Sequence, residues 1–210
     1  MGRKAKPIVT RHKFRAQPAH ELRALLNASG KTYEQLAEHT PGISRVTPQR
    51  AASDTCVPKE KTVVAFVHAC GFGRHEAAKL TALRISARVE ERGVLRHLNA
   101  LHPRPISDLR DLSRALEYIY EAAGAPTLRE IRERSEDPLS LPTTTLARIV
   151  ARKTTPADKR QLLAFIHGCG ISRDQDPMWS DAWAKVSMEV PDPGLERMLN
   201  RSGIGGGSMR

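Results

Sequence analysis

Aromatic residues make up only 4% of the sequence, which argues against a single-strand nucleic-acid binder, because such proteins stack bases on ring platforms. Cysteine is scarce as well. Cys56, Cys70 and Cys169 are odd in number and lack paired spacing, which fits a reducing compartment better than a secreted disulfide scaffold. The longest clean apolar run is Val63-Val64-Ala65-Phe66-Val67, far short of the roughly 20 residues a membrane span needs. No apolar leader follows Met1-Gly2-Arg3-Lys4-Ala5-Lys6, so the expected location is cytoplasmic and no membrane partner is expected. Glycine-rich phosphate loops, nucleophile elbows and paired metal motifs are missing, and Gly203 to Gly207 follows no expected strand and opens no expected helix. Neither an enzyme nor a cofactor is expected on those grounds.

The composition is otherwise that of a folded chain. Its 210 residues are 40% hydrophobic and 27% charged, room for one large or two small domains. Basic residues outnumber acidic ones, 34 to 23, for a net charge of +11. The excess is uneven: residues 1–17 hold six basic groups, Arg3, Lys4, Lys6, Arg11, Lys13 and Arg15, and no acid, whereas residues 107–190 hold twelve against thirteen. A short basic arm over 1–17 suits a polyanion such as DNA, since phosphates attract Lys and Arg without needing a fold. The same arm could instead be a solubilising tail.

The chain also repeats itself. Val63-Val64-Ala65-Phe66-Val67-His68-Ala69-Cys70-Gly71-Phe72 returns 99 residues later as Leu162-Leu163-Ala164-Phe165-Ile166-His167-Gly168-Cys169-Gly170-Ile171, with five of ten positions identical. Upstream, Thr32 to Thr40 aligns with Thr127 to Ser135, each preceded by an apolar helix and a glycine, Gly30 or Gly124. Two homologous domains are therefore expected, 18–90 and 107–190, joined by a linker over 91–106 and followed by a loose tail over 191–210. Extended at about 3 Å per residue, that linker could reach about 45 Å.

Each copy reads as five short helices with no strand signal. In the first, a helix beginning near His20 ends at Gly30, and Thr32 with Gln35 forms a reciprocal cap. Further helices are expected over Thr47 to Ser53, Lys59 to Ala69 and Arg74 to Glu90, with Pro48 tolerable only in a first turn. The second copy is expected to run Asp108 to Ala122, Leu128 to Ser135, Thr144 to Arg152, Pro156 to Gly168 and Pro177 to Met188. There Thr127 and Glu130 repeat the cap, and Thr155-Pro156 and Asp176-Pro177 mark helix starts.

These segments carry a family resemblance. Thr32-Tyr33-Glu34-Gln35-Leu36-Ala37, Ile43-Ser44-Arg45-Val46-Thr47, Gln49-Arg50-Ala51-Ala52-Ser53, Pro58 and Val64-Ala65-Phe66-Val67-His68-Ala69-Cys70-Gly71 resemble the actinobacterial branch of the xenobiotic response element (XRE), lambda-repressor-like helix-turn-helix family. The leader Gly2-Arg3-Lys4-Ala5-Lys6-Pro7 is similar to that branch too. In the second copy, Leu141-Pro142-Thr143-Thr144-Thr145-Leu146-Ala147-Arg148, Pro156, Leu163 to Gly170 and Trp179-Ser180-Asp181-Ala182-Trp183 follow the same pattern. The two matches cover about 160 of the 210 residues. The resemblance implies an all-α fold of two homologous five-helix lambda-repressor-like helix-turn-helix domains in tandem. It implies a sequence-specific binder of double-stranded DNA, a transcriptional regulator associated with the nucleoid.

In that family the third helix enters the major groove, which in the first copy makes Ser44, Arg45, Thr47, Gln49, Arg50 and Ser53 the candidates for base or phosphate contact. Arginine can hold guanine O6 and N7 together, and glutamine adenine N6 and N7. The first copy departs from the family pattern, with Pro48 where an apolar anchor is usual. In the second copy Leu146, Ile149 and Val150 form an inward stripe, leaving Thr144, Thr145, Arg148, Arg152 and Lys153 outward, with Thr143 a further candidate for DNA contact. Residues 143–157 hold three basic groups and no acid.

Because the two third helices differ, a single chain is expected to read a non-palindromic site, unless a homodimer uses one copy per half-site. Two further roles fit the same residues: a helix-turn-helix-derived protein-interaction module, motivated by Pro48, and a phage or plasmid replication or partition factor. His68 with Cys70 and His167 with Cys169 could formally supply a tetrahedral zinc. Two apart on a helix they face different ways, so buried cysteines and helix-terminal histidines are the expectation. Trp179 and Trp183 are expected to pack the last helix, and only secondarily to offer a partner surface.

Overall fold

The computed structural model describes residues 7–8, 13–38, 44, 46–100, 102–188. Among these residues the secondary structure is helical throughout, with no strand. Two compact units are defined by contacts: the described part of Met1–Leu98 with Tyr120–Ala125, and that of Asn99–Ile119 with Pro126–Arg210.

The first unit contains α1 (Lys13–Ser29), α2 (Tyr33–Glu38), α3 (Val46–Ala51), α4 (Glu60–Ala69) and α5 (Arg74–Arg92). Its core gathers Leu22, Leu26, Leu36, Val63, Phe66, Val67 and Leu80, with Ala51 and Ala52 admitting the end of α3. Apolar residues three and four apart on each helix supply one inward stripe, and burying it drives the short helices to fold together. Thr32 and Gln35 cap α2 reciprocally: the Thr32 amide donates to Gln35 Oε1 at 2.9 Å and the Gln35 amide to Thr32 Oγ1 at 3.3 Å. The first helix, expected to begin near His20, starts earlier, inside the stretch expected to be an arm. α1 begins at Lys13 and carries Pro18 in its interior, where the ring removes the donor that the Phe14 carbonyl would accept. Burial of Pro18 beside Ala19 and Leu22 holds the helix across that gap.

The second unit holds α7 (Leu128–Arg134), α8 (Thr143–Val150), α9 (Lys159–Gly168) and α10 (Asp176–Met188), with most of α6 (Leu109–Ala122). Leu112, Leu116, Ile131, Leu141, Leu146, Leu162, Phe165 and Ile166 are fully buried. Thr127 and Glu130 form a complete capping box at the start of α7. Removing its hydroxyl (Thr127→Ala) is expected to lower the stability of this unit by about 1 kcal/mol, seen as an earlier urea transition; an unmoved midpoint would show that Glu130 alone caps the helix. α9 begins at Lys159 and not, as expected, at Pro156. The Asp158 carboxylate accepts the Gln161 amide at 2.7 Å, and this side-chain cap, two residues after the proline, sets the helix start at Lys159. Asp176-Pro177 does open α10, directly after a 3-10 turn over Arg173–Gln175.

The two echoed segments close alike in backbone detail. α4 and α9 both end in a left-handed glycine, Gly71 at φ +90° and Gly170 at φ +91°. In each, the glycine amide donates to a histidine carbonyl, His68 or His167, and the next amide reaches one residue further back, to Val67 or Ile166. Only glycine takes that φ without a Cβ clash. The linker is less extended than the 45 Å reach supposes, since α5 continues to Arg92 and Val94–His97 coil into a 3-10 turn that rises only about 2 Å per residue.

Candidate nucleic-acid interface

In the second unit, α7, the turn 135–142 and α8 build a surface element from the core outward. Leu141, Leu146 and Ile149 are 0%, 0% and 3% exposed and seat α8 on the unit. With those positions inward, the helical period turns Thr144, Ala147, Arg148 and Ala151 outward, and all four are exposed. Thr143, Arg152 and Lys153 are also exposed, while Thr145 and Val150 are half-buried. The outward strip therefore runs i, i+3, i+4, i+7 with one arginine among small residues. Ala147 and Ala151 were not singled out from sequence; the same spacing that marked Leu146 and Ile149 as inward could have found them.

The polar groups around this strip are partly engaged. Arg132 Nη1 donates to Thr143 Oγ1 at 3.2 Å, and Arg129 pairs with Glu133 along α7 at 2.7 Å. Hydrogen bonding to Glu133 raises the already high pKa of Arg129, so it stays cationic. The turn is braced from below: Ser140 hydrogen-bonds to Asp137, Arg160 pairs with Asp137, and Gln161 Nε2 donates to the Ser140 carbonyl at 2.8 Å. The bonds from Ser140, and after them Arg160, hold the Asp137 carboxyl below its ordinary pKa. Arg152 is paired with Glu117, Nη1 to Oε2 at 3.0 Å.

The first unit presents a shorter counterpart. α3 has six residues, with Pro48 and Ala51 buried, so Pro48 serves as an inward anchor within the first turn. Gln49 and Arg50 are exposed, as is Val46 at 55%. The hydroxyls of Ser44 and Thr47 bond to each other at 2.9 Å. Ser53 lies beyond the helix end, and its hydroxyl donates to the Arg50 carbonyl at 2.7 Å. Arg23 Nε and Arg15 Nη2 donate to the carbonyls of Ala52 and Thr55 at 2.8 and 2.6 Å. Arg15, expected in a free arm, is thus half-buried on α1 and bracing the turn after α3. Lys13 opens the same helix; Arg3, Lys4, Lys6, Arg11 and Arg45 lie outside the described residues.

Cys70 and Cys169 are buried, and burial pushes the Cys169 thiol up to about 12, which keeps it protonated and a poor metal ligand. His167 Nε2 lies 2.7 Å from Asp176 Oδ1, while His68 is exposed. No cluster of three or more metal-binding side chains occurs among the described residues. Trp179 is 2% exposed and packs α10 into the core, with Trp183 half-buried. None of the described helices is long and apolar enough to cross a membrane. No protein-family model, curated protein or solved structure matches this chain.

Proposed function

We propose that this chain is a sequence-specific binder of double-stranded DNA, a transcriptional regulator of the XRE-type helix-turn-helix class, with two lambda-repressor-like domains in tandem. The observation that carries the reading is the outward strip of α8: Thr144, Ala147, Arg148 and Ala151 over a seat of Leu146 and Ile149, with no acidic residue in 143–157. Small side chains let a helix approach a groove floor closely, alanine can meet a thymine methyl, and Arg148 can hold guanine O6 and N7. Lys153 at the end of the helix supplies a phosphate contact. In the first unit Gln49 and Arg50 play the corresponding part. The basic residues near the N-terminus add phosphate neutralisation or a minor-groove contact. A cytoplasmic, nucleoid-associated location follows from this role, on the chromosome or in phage or plasmid maintenance.

A second reading has a specific observation behind it. α3 has only six residues, and Val46, more than half exposed, stands on it beside Gln49 and Arg50, which suits a protein partner at least as well as a DNA groove. Under that reading only the second unit reads bases. The Trp183 edge of α10 would be a further place for a protein partner.

Selection from random double-stranded DNA tests both. Two different half-sites in one non-palindromic sequence are expected. One half-site alone would assign the first unit to protein binding, and identical inverted half-sites would mean a homodimer. Affinity should also fall steeply between about 50 and 200 mM salt; an enriched pool that ignores salt, or no enrichment at all, would end the proposal.

A further inference from the structure

Five helices among the described residues, α1, α4, α5, α6 and α9, run into a glycine in the left-handed region: Gly30, Gly71, Gly93, Gly124 and Gly170, at φ between +66° and +91°. α8 runs into Arg152 at φ +57°. The backbone closes there as it does at the glycines, the Arg152 amide donating to the Ile149 carbonyl at 2.9 Å and the Lys153 amide to Arg148 at 2.8 Å. An L side chain is unfavourable in that conformation, and glycine is the usual solution. An arginine kept in glycine's place points to work done by its side chain. That side chain reaches Glu117 on α6, in the same unit, at 3.0 Å, with the two side chains 39% and 22% exposed.

We infer that Arg152 and Glu117 form a clamp that sets the seating of the end of α8 on α6. Glu117 is then a positioning residue for the outward strip, and Arg152 acts through Glu117 and not as a phosphate ligand. The inference rests on the DNA-binding reading and revises the role that the sequence assigned to Arg152. The geometry supports it on two counts. Glu117 follows Leu116, which is 1% exposed, so its backbone is held by the core. Arg148 lies one helical turn before Arg152, so a loosened last turn swings the residue that would read a base. The competing role is a decoy, in which Glu117 occupies Arg152 until a phosphate displaces it.

The two roles differ in the sign of one substitution. The full chain is titrated with a duplex recovered from random-sequence selection, at 50 to 200 mM salt, as wild type, Glu117→Ala, Arg152→Gly and the double variant. Glycine suits φ +57°, so Arg152→Gly keeps the turn while deleting the clamp. Backbone amide exchange at Ala151, Arg152 and Lys153 is measured without DNA. For a clamp, each single change weakens binding about two- to fivefold, the size of a partly exposed ion pair. The double variant then binds no worse than either single one, the dependence on salt is unchanged, and exchange of the three amides accelerates in Glu117→Ala. Tighter binding with a steeper salt dependence in Glu117→Ala would overturn the clamp in favour of the decoy, and unchanged exchange would overturn it outright. A wild type that binds no duplex removes the DNA reading and this role with it, whereas faster exchange would still show the ion pair holding the turn.

Discussion

Gly168→Ala is expected to destabilise the second unit by about 3 kcal/mol, toward the upper end for overpacked cores, with a matching drop in its thermal and urea midpoints. A methyl at this position would stand 2.5 Å from Ile131 Cγ2 and 2.5 Å from the Ile131 carbonyl oxygen. A side-chain methyl can rotate aside, but the carbonyl belongs to the backbone of α7, so α9 and α7 must separate to admit it. Ile131 is fully buried, and separating the helices opens the core beneath it. The repeat supplies an internal control. Ala69 occupies the equivalent place in the first unit, where its carbonyl accepts Lys31 Nζ at 2.6 Å. Ala69→Gly should cost only about 1 kcal/mol, through helix propensity. Equal losses from the two substitutions would contradict the closer approach of α9 to α7.

The repeat was legible because its marks are local. The reciprocal caps Thr32–Gln35 and Thr127–Glu130 act over three residues, and Gly71 and Gly170 close helices whose last carbonyls lie three to five residues back, so the chain carries those signals contiguously. The inward stripe Leu146 and Ile149 was legible for the same reason, and with it the exposure of Arg148. Other features depended on contacts the sequence does not order. α1 runs through Pro18, which tertiary packing buries, and so takes in Lys13 and Arg15 of the stretch expected to be an arm. Between Pro156 and Asp158 as the start of α9, the choice falls to the Asp158 carboxylate, which reaches the Gln161 amide, while the proline offers only a compatible φ. Glu117 and Arg152 are 35 residues apart, and no periodicity links them. Arg15 bonds the Thr55 carbonyl across 40 residues, which no charge count could distinguish from a free arm.

Arg148→Ala is expected to weaken binding to the selected duplex by roughly ten- to a hundredfold and to relax preference at one base pair, because a bidentate arginine–guanine contact carries about 1–3 kcal/mol of discrimination. Lys153→Ala should act differently: affinity falls by a similar factor on every sequence, and the dependence of affinity on salt becomes shallower by about one counterion. The contrast follows from place. Arg148 stands within the outward strip between Ala147 and Ala151, whereas Lys153 lies past the helix end. Both are exposed, so neither substitution opens the core, and unchanged unfolding midpoints would separate lost contact from lost fold. If Arg148→Ala left base preference intact and only shifted the salt dependence, α8 would be lying along the phosphate backbone. Base reading would then have to come from Gln49 and Arg50 of the first unit, where Gln49→Ala should relax preference for adenine.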